Sequence, residues 1–376
     1  MTNPSSSAHS GAPAVARLAW IVDDLDMLMH VRMPLLRAAV LRRHKVLVLA
    51  PGLTPSQQLT LLAAGIESAA LARAGARFQL FSGRGLRHRI GQQLAEWRAT
   101  AVVIDAVLLA DDACRAATDA KVAVIQAVLP PLDELDAIPR AWAQAVAAAT
   151  GVLVATTDNA RALAAAGVPH PRVLSPLMVD LGAIVPAPLP SLGDGLIFLG
   201  VSAAPAPMFA AAVNLLEDRA PRARFRLAEI EGLSRVPPAV RHAPASRLET
   251  FTVDVRDPST LQDAIRASHV VVVDGAVSTH VMALSTAYGL GRPVLAGDTA
   301  LSRDLVDAGA DGWRVPAGAD AAAWADAVAA ILRRPDLLPG MARAAGLKAG
   351  RRLSQDSAAA TLFAALGLAD LRAKAA

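Results

Sequence analysis

The residues best equipped for chemistry fall into three groups. Asp23, Asp24, Asp26, His30 and Arg32 follow the first apolar run, Leu18–Val22. A carboxylate or imidazole so placed can take a proton from a hydroxyl nucleophile. Aspartates there can equally cap the helix that follows. Asp105 ends a later apolar run, Ala101–Asp105, and Gln126 sits near the end of the next, Val122–Ala127. Ligands of open parallel sheets bind beyond the carboxyl ends of the strands. Asp105 is therefore a second base candidate, with loop capping as its alternative. Ser278, Thr279 and His280 directly precede the apolar pattern Val281–Tyr288. Backbone N–H groups at such a helix start, aided by two hydroxyls and an imidazolium, can hold a phosphate. Serine and threonine are also ordinary N-caps, and a surface histidine is the plain alternative for His280.

The elements that must position these groups alternate along the chain. Apolar runs of about five residues read as buried parallel strands, and amphipathic stretches between them read as helices. Strands are expected at Leu18–Val22, Lys45–Ala50, Phe78–Phe81, Ala101–Asp105, Val122–Ala127, Val152–Thr156 and Arg172–Ser175. The segment Pro186-Ala-Pro-Leu-Pro-Ser-Leu-Gly-Asp194 is dense in proline and glycine and reads as a linker. The pattern then restarts with Leu196–Leu199, Arg224–Ala228, Leu248–Val253, Val270–Asp274, Pro293–Ala296 and Gly312–Val315. The expected organisation is a disordered tail over 1–14, one α/β unit over 15–185, a linker over 186–194 and a second unit over 195–345. Helices over 346–376 are free to cross back to the first unit. Two such sheets in sequence suggest a site in the cleft between them.

Composition narrows the function classes. Of the 376 residues, 54% are hydrophobic, so each unit can bury a core of its own. The single cysteine, Cys114, excludes an intrachain disulfide and suits a reducing compartment. No apolar stretch is long enough to span a bilayer, and residues 1–14 have no signal-peptide pattern, so a cytoplasmic location is expected. The net charge of +4 is modest for this length, and without a zinc-finger or aromatic-flanked basic motif it does not argue for nucleic acid. Arg73, Arg77, Arg84, Arg87, His88, Arg89 and Arg98 form a basic segment opposed only by Glu96. It is either a solvated helix face or a surface for anionic lipid.

Several motifs in register resemble glycosyltransferase family 4. Gly291-Arg-Pro-Val-Leu-Ala-Gly-Asp298, then Asp304-Leu-Val-Asp-Ala-Gly-Ala-Asp-Gly-Trp-Arg-Val-Pro-Ala-Gly318, resembles the family's G-[RK]-P-V strand and the helix and strand after it. Met33-Pro-Leu35, Val46–Pro51, Gly151–Ala155, Asn159–Leu163, Gly167-Val-Pro169, Val173–Asp180 and Leu196–Gly200 match family segments in the right order. The resemblance covers nearly the whole chain from about Ala14. It implies a GT-B fold, with two Rossmann-like domains facing across a cleft. It also implies transfer of a sugar from a nucleotide-sugar co-substrate to a glycan or lipid-linked acceptor, without a resident cofactor. The sequence Asp24-Leu-Asp26 spells the D-x-D of metal-dependent GT-A enzymes but sits after the first strand, so no metal is expected. The resemblance sets Asp23, Asp24, His30 and Arg32 beside the acceptor, with Gln126 at a similar strand end.

This sequence departs from the family at the donor side. The family's phosphate-binding Arg and Lys are missing from Gly200-Val-Ser-Ala-Ala-Pro205, and its two glutamates correspond to Ser278 and Thr286. Three accounts follow: a donor site rebuilt from other groups, with Gly200, Ser202, Ser278, Thr279, His280 and Thr286 as its candidates; an unusual donor; or a chain that has lost catalysis and only binds. The remaining readings are a GT-B-fold protein that binds without catalysing, and a sugar-nucleotide epimerase.

Overall fold

A computed structural model describes residues 15–71, 84–106, 108–129, 146–168, 171–175, 179, 184–202, 207–216, 219–220, 222–231, 248–254, 258–273 and 281–368. The first half contains β1 (Arg17–Val22), a short α1 (Leu25–Met27) leading into a π-helical turn (Leu28–Arg32), α2 (Met33–Leu41), β2 (Lys45–Ala50) and α3 (Pro55–Ala63). It continues with β3 (Glu67–Ala70), α4 (Arg84–Glu96), β4 (Ala101–Asp105), α5 (Ala110–Asp119), β5 (Val124–Leu129), β6 (Gly151–Val154), α6 (Thr157–Ala165) and β7 (Arg172–Val173). These strands form a 7-stranded sheet in the order β3-β2-β1-β4-β5-β6-β7, parallel throughout.

The second half contains β8 (Ile197–Ser202), α7 (Pro207–Leu215), β9 (Arg224–Glu231), β10 (Leu248–Asp254), α8 (Pro258–Arg266), β11 (Val270–Val273), α9 (Val281–Gly289) and β12 (Val294–Gly297). Then come α10 (Ala300–Leu305), β13 (Gly312–Val315), α11 (Ala321–Leu332), α12 (Leu338–Arg352) and α13 (Gln355–Ala365). Its 6-stranded parallel sheet has the order β10-β9-β8-β11-β12-β13. The chain is thus α/β with two Rossmann-like sheets in the GT-B manner, as the sequence leads one to expect.

The strands form because their Val, Ile, Leu and Ala residues are buried on both faces, which is the situation of a parallel sheet covered by helices. Several helix starts are fixed by side chains. Thr54 and Gln57 make a reciprocal capping box with Pro55 in the first turn, and Thr299 and Ser302 make another. Each sheet has an apolar layer on either face. Ala358, Ala359, Leu362, Phe363 and Leu366 lie in the same layer as Trp20, Leu35 and Val48, so α13 packs on the first half. Ala345, Ala349 and Leu353 of the preceding region belong to a core of the second half. The chain therefore crosses between halves near Leu353. There Val179 N–H donates to the Leu353 carbonyl at 2.7 Å, and Val179 pairs with Ser354 as a parallel bridge.

Several boundaries differ from the sequence expectation. Strand β3 at Glu67–Ala70 is unexpected, because this edge strand has no continuous apolar run to announce it. The expected strand at Phe78–Phe81 lies outside the described residues. Strand β5 spans Val124–Leu129, two residues later than expected. Gln126 therefore stands within the strand and not near its end, and the boundary was misplaced because Val122 and Ala123 extend the apolar run beyond the ladder.

Candidate active site

The two sheets each reverse their strand order at one point, between β1 and β4 in the first and between β8 and β11 in the second. Open α/β sheets bind their ligands beyond the carboxyl ends of the strands at such a reversal. At the first, β1 pairs with β4 in register, with Val22 opposite Asp105. The chain leaves β1 through Asp23 and Asp24, passes the π-helical turn and enters α2. Asp24 is exposed and accepts a 2.9 Å hydrogen bond from Met27 N–H, as an N-cap does. Asp23 accepts from Leu108 N–H, which ties the loop after β1 to the loop after β4. The cap that sequence offers as the alternative is thus made by Asp24.

Asp105 and Arg32 meet. Arg32 Nε donates to Asp105 Oδ2 at 2.7 Å, with side-chain exposures of 9% and 12%. Asp105 Oδ1 makes no hydrogen bond among the described residues. Arg32 Nη1 is buried and likewise has no partner among them. An unmet buried donor costs about 1–3 kcal/mol, more when charged, so this nitrogen is a donor that an added acceptor oxygen would satisfy. His30 lies in the same π-helical turn. Single π-helical turns within helices are frequent at functional sites.

Gln126 serves elsewhere. It is 5% exposed, and its amide donates to the Ala365 carbonyl at 2.8 Å, anchoring the end of α13.

At the second reversal, Ser202 ends β8 and pairs in register with Glu229. Gly200 is buried in that strand. A Cβ there would lie 2.5 Å from the Phe209 ring, so the glycine makes room for a core aromatic. Thr286 is half-buried within α9, and its carbonyl accepts from Leu290 N–H. Ser278, Thr279 and His280 lie outside the described residues, as do the residues that follow Ser202.

Among the described residues the halves touch at the π-helical turn and at α6. The π-helical turn approaches α9, and Val31 packs against the apolar cores of both halves. Elsewhere α6 meets α10. Arg303 Nη2 binds Asp158 Oδ2 at 3.0 Å, and Asp304 accepts from Thr157 N–H at the start of α6. Arg303 and Arg314 also share Asp298, at 3.5 and 3.1 Å. The hydrogen bond from Arg303, with a second from Arg161, holds the Asp158 carboxyl below its ordinary pKa despite an opposing burial contribution.

Two buried groups escape sequence reasoning. Arg292 is fully buried and donates to the carbonyls of Ala187, Leu290, Pro188 and Arg266 at 2.7–2.9 Å. Burial and the nearby Arg266 lower its pKa to about 10. The arginine of the Gly-Arg-Pro motif is therefore a clamp on the proline-rich segment. Lys348 is 8% exposed, bridges Asp307 and Asp311 and donates to the Leu305 carbonyl. Tyr288 OH donates to the same carbonyl. The loop before β13 is thereby pinned at the sheet end away from the cleft. Among the described residues no group of His, Cys, Asp and Glu could hold a metal ion.

No protein-family model matches the sequence, and no curated protein matches it. Solved structures do match. Anabaena HepE in complex with UDP-glucose superposes with a TM-score of 0.70 at 15% identity, over 93% of this chain and 99% of that one. A glycosyltransferase from Rickettsia africae gives 0.70 at 12% identity, over 94% and 99%. UDP-GlcNAc 2-epimerase from Neisseria meningitidis, bound to UDP-GlcNAc, gives 0.61 at 13% identity, over 93% and 99%. The chain thus has the GT-B fold of nucleotide-sugar glycosyltransferases, a fold that these epimerases resemble as well. No helix among the described residues is long and apolar enough to cross a membrane.

Proposed function

We propose that this protein transfers a sugar from a nucleotide-sugar to a hydroxyl of a glycan or lipid-linked acceptor, in the cytoplasm, with the basic segment around α4 meeting anionic lipid. One observation carries the reading. The buried Arg32–Asp105 pair sits at the strand reversal of the first sheet, on a turn that touches α9 of the second. In the proposed reaction the acceptor oxygen forms a bond to the anomeric carbon as the bond to the diphosphate breaks. Asp105, fixed through Oδ2 by Arg32, offers Oδ1 to the acceptor proton. The leaving diphosphate gathers negative charge. Backbone N–H groups at the start of α9, with Ser278, Thr279 and His280, are the groups proposed to receive it. Gly200, Ser202 and Thr286 complete the proposed donor side, and Asp23, Asp24 and His30 the acceptor side.

A thermal-shift screen against UDP, GDP, dTDP and their sugars tests this. A cognate nucleotide at about a hundred times its dissociation constant stabilises the fold by about 2.7 kcal/mol. A shift with one nucleotide, followed by release of that nucleotide when acceptor is added, supports transfer. The cation-free run Gly200–Pro205 favours a second reading, binding without catalysis. A shift without turnover would select that reading, and turnover to an isomerised sugar nucleotide would select epimerisation. No shift with any nucleotide refutes the transferase.

A further inference from the structure

The amino end of the second sheet departs from the apolar rule that builds the rest of it. Alternate residues of a strand share one face. Leu199, Val201, Ala228 and Val253 share such a face and are buried with Leu261, Ala264 and Ile265 of α8. Toward the strand starts the same face carries Ile197 on β8, Arg224 and Arg226 on β9, and Glu249 on β10. Helix α8 ends at Arg266, and Ala267 just after it lines a cavity of about 440 Å³ with these four residues. Small-molecule pockets span about 300–1,000 Å³. The cavity lies at the opposite end of β8 from Ser202, about 16 Å along a strand that rises about 3.3 Å per residue.

The walls of the cavity are fixed, and one group in it is not. Ile197 N–H donates to His269 Nδ1 at 3.0 Å, and Arg224 N–H to the Leu196 carbonyl at 2.8 Å. Gly195, at φ +89°, lets the chain pass the Arg222 carbonyl, which a Cβ there would strike. Arg226 binds Glu249 through Nε and Nη2 at 3.0 and 3.2 Å, and its guanidinium lies 4.9 Å from the centre of the Phe251 ring. The charges of Arg226 and Glu249 thus offset each other. Arg224 is exposed, and its guanidinium has no hydrogen bond or ion pair among the described residues. The cavity therefore holds one uncommitted cation beside a neutralised pair and the apolar side chains of Ile197 and Ala267.

We propose that this cavity binds a small organic monocarboxylate, held by Arg224 through its carboxylate and by Ile197 and Ala267 through its apolar body. A guanidinium fork matches a planar carboxylate in a bidentate pair. The Glu249 carboxylate repels a second negative charge, so a phosphate dianion is the poorer ligand. The site is separate from the proposed donor and acceptor groups and does not rest on the transferase reading.

The test uses the full chain with isotope-labelled isoleucine methyl groups, titrated by NMR with butyrate, inorganic phosphate and chloride. Butyrate should move the Ile197 methyl signal saturably, and at lower concentration than phosphate. Arg224→Gln should weaken butyrate binding about ten-fold or more, the loss of a charge-assisted pair. Arg222→Gln removes an exposed cation outside the cavity and should leave binding unchanged. Ala267→Leu keeps both arginines but fills the space, and should abolish the Ile197 response. An Ile197 signal that butyrate does not move, or moves no more than chloride does, overturns the proposal. So does unchanged binding in Arg224→Gln. Equal weakening by Arg222→Gln would also overturn it, because surface charge alone would then attract the anion. Tighter binding of phosphate than of butyrate would overturn the carboxylate assignment.

Discussion

At the residue scale the strongest constraint is Arg292. A planar guanidinium with its fork of donors reaches four carbonyls, two of them in the proline-rich connection. Lysine is also a cation but cannot match that fan. Arg292→Lys should cost about 1.5–3 kcal/mol for each charged hydrogen bond left unmade, read as a lower urea midpoint at unchanged slope. His269 makes a second testable point. It is fully buried, accepts from Ile197 N–H at 3.0 Å through Nδ1, and its Nε2 lies 3.1 Å from the Pro190 carbonyl. Burial lowers its pKa, and Arg292 adds to that against the Pro190 hydrogen bond. The unfolded chain therefore takes up a proton near the ordinary histidine pKa of about 6.5, which the folded chain resists. Stability from this group is full above that value and declines as pH falls below it. His44, also lowered first by burial, adds to the same decline. The urea midpoint should drop between about pH 7 and 5, and His269→Gln should lessen the drop; a flat profile would contradict the assignment.

At the scale of elements, close approach decides where small residues must stand. Gly200 in β8 lets Phe209 of α7 lie flat on the strand. Gly200→Ala forces the ring or the strand to move, and overpacking of this kind costs about 1–3 kcal/mol. Thermal unfolding of the variant checks it, with no loss showing that the ring has room to yield. Gly289, at the end of α9, plays the same part for the segment around Val179 and Ile184, whose side chains would lie under 3 Å from an added Cβ. The sheets, their order of elements and most helix limits follow from apolar runs and caps alone. Two failures have physical causes. An edge strand such as β3 has no continuous apolar run, and β5 begins at Val124 because that residue pairs with Ala101 at the start of β4, a register that leaves no mark in the sequence.

The two halves are held together by apolar contact at Val31 and by charge at Asp158 and Arg303. The Asp158–Arg303 pair is largely solvated, with 38% and 44% of each side chain exposed. Asp158 is held below its ordinary pKa first by the hydrogen bond from Arg303. Its contribution is therefore present above the usual carboxylate range and lost only as pH falls through its lowered value. Between pH 5 and 8 the contact should respond to salt and not to pH. A double-mutant cycle with Asp158→Asn and Arg303→Gln should show coupling at low salt that fades on adding about 0.5 M salt and survives at about pH 5. Coupling that ignores salt would mean that the pair is not the contact described here.

What the sequence by itself determined was the local grammar. Periodicity, caps and the proline-rich segment specify two parallel α/β units, because burial on both faces of a strand demands continuous apolar runs and a capping side chain marks many of the helix starts. It also placed Asp105 at a strand end and Arg32 after β1, though not their meeting. That meeting depends on β1 and β4, far apart in sequence, lying side by side. The same holds for Arg292, whose carbonyl partners come from three separate segments, for Gln126, tied to the last helix, and for Asp158 facing Arg303. Residues distant along the chain become partners only when the sheets are assembled, and their pairing leaves no period or spacing behind in the sequence.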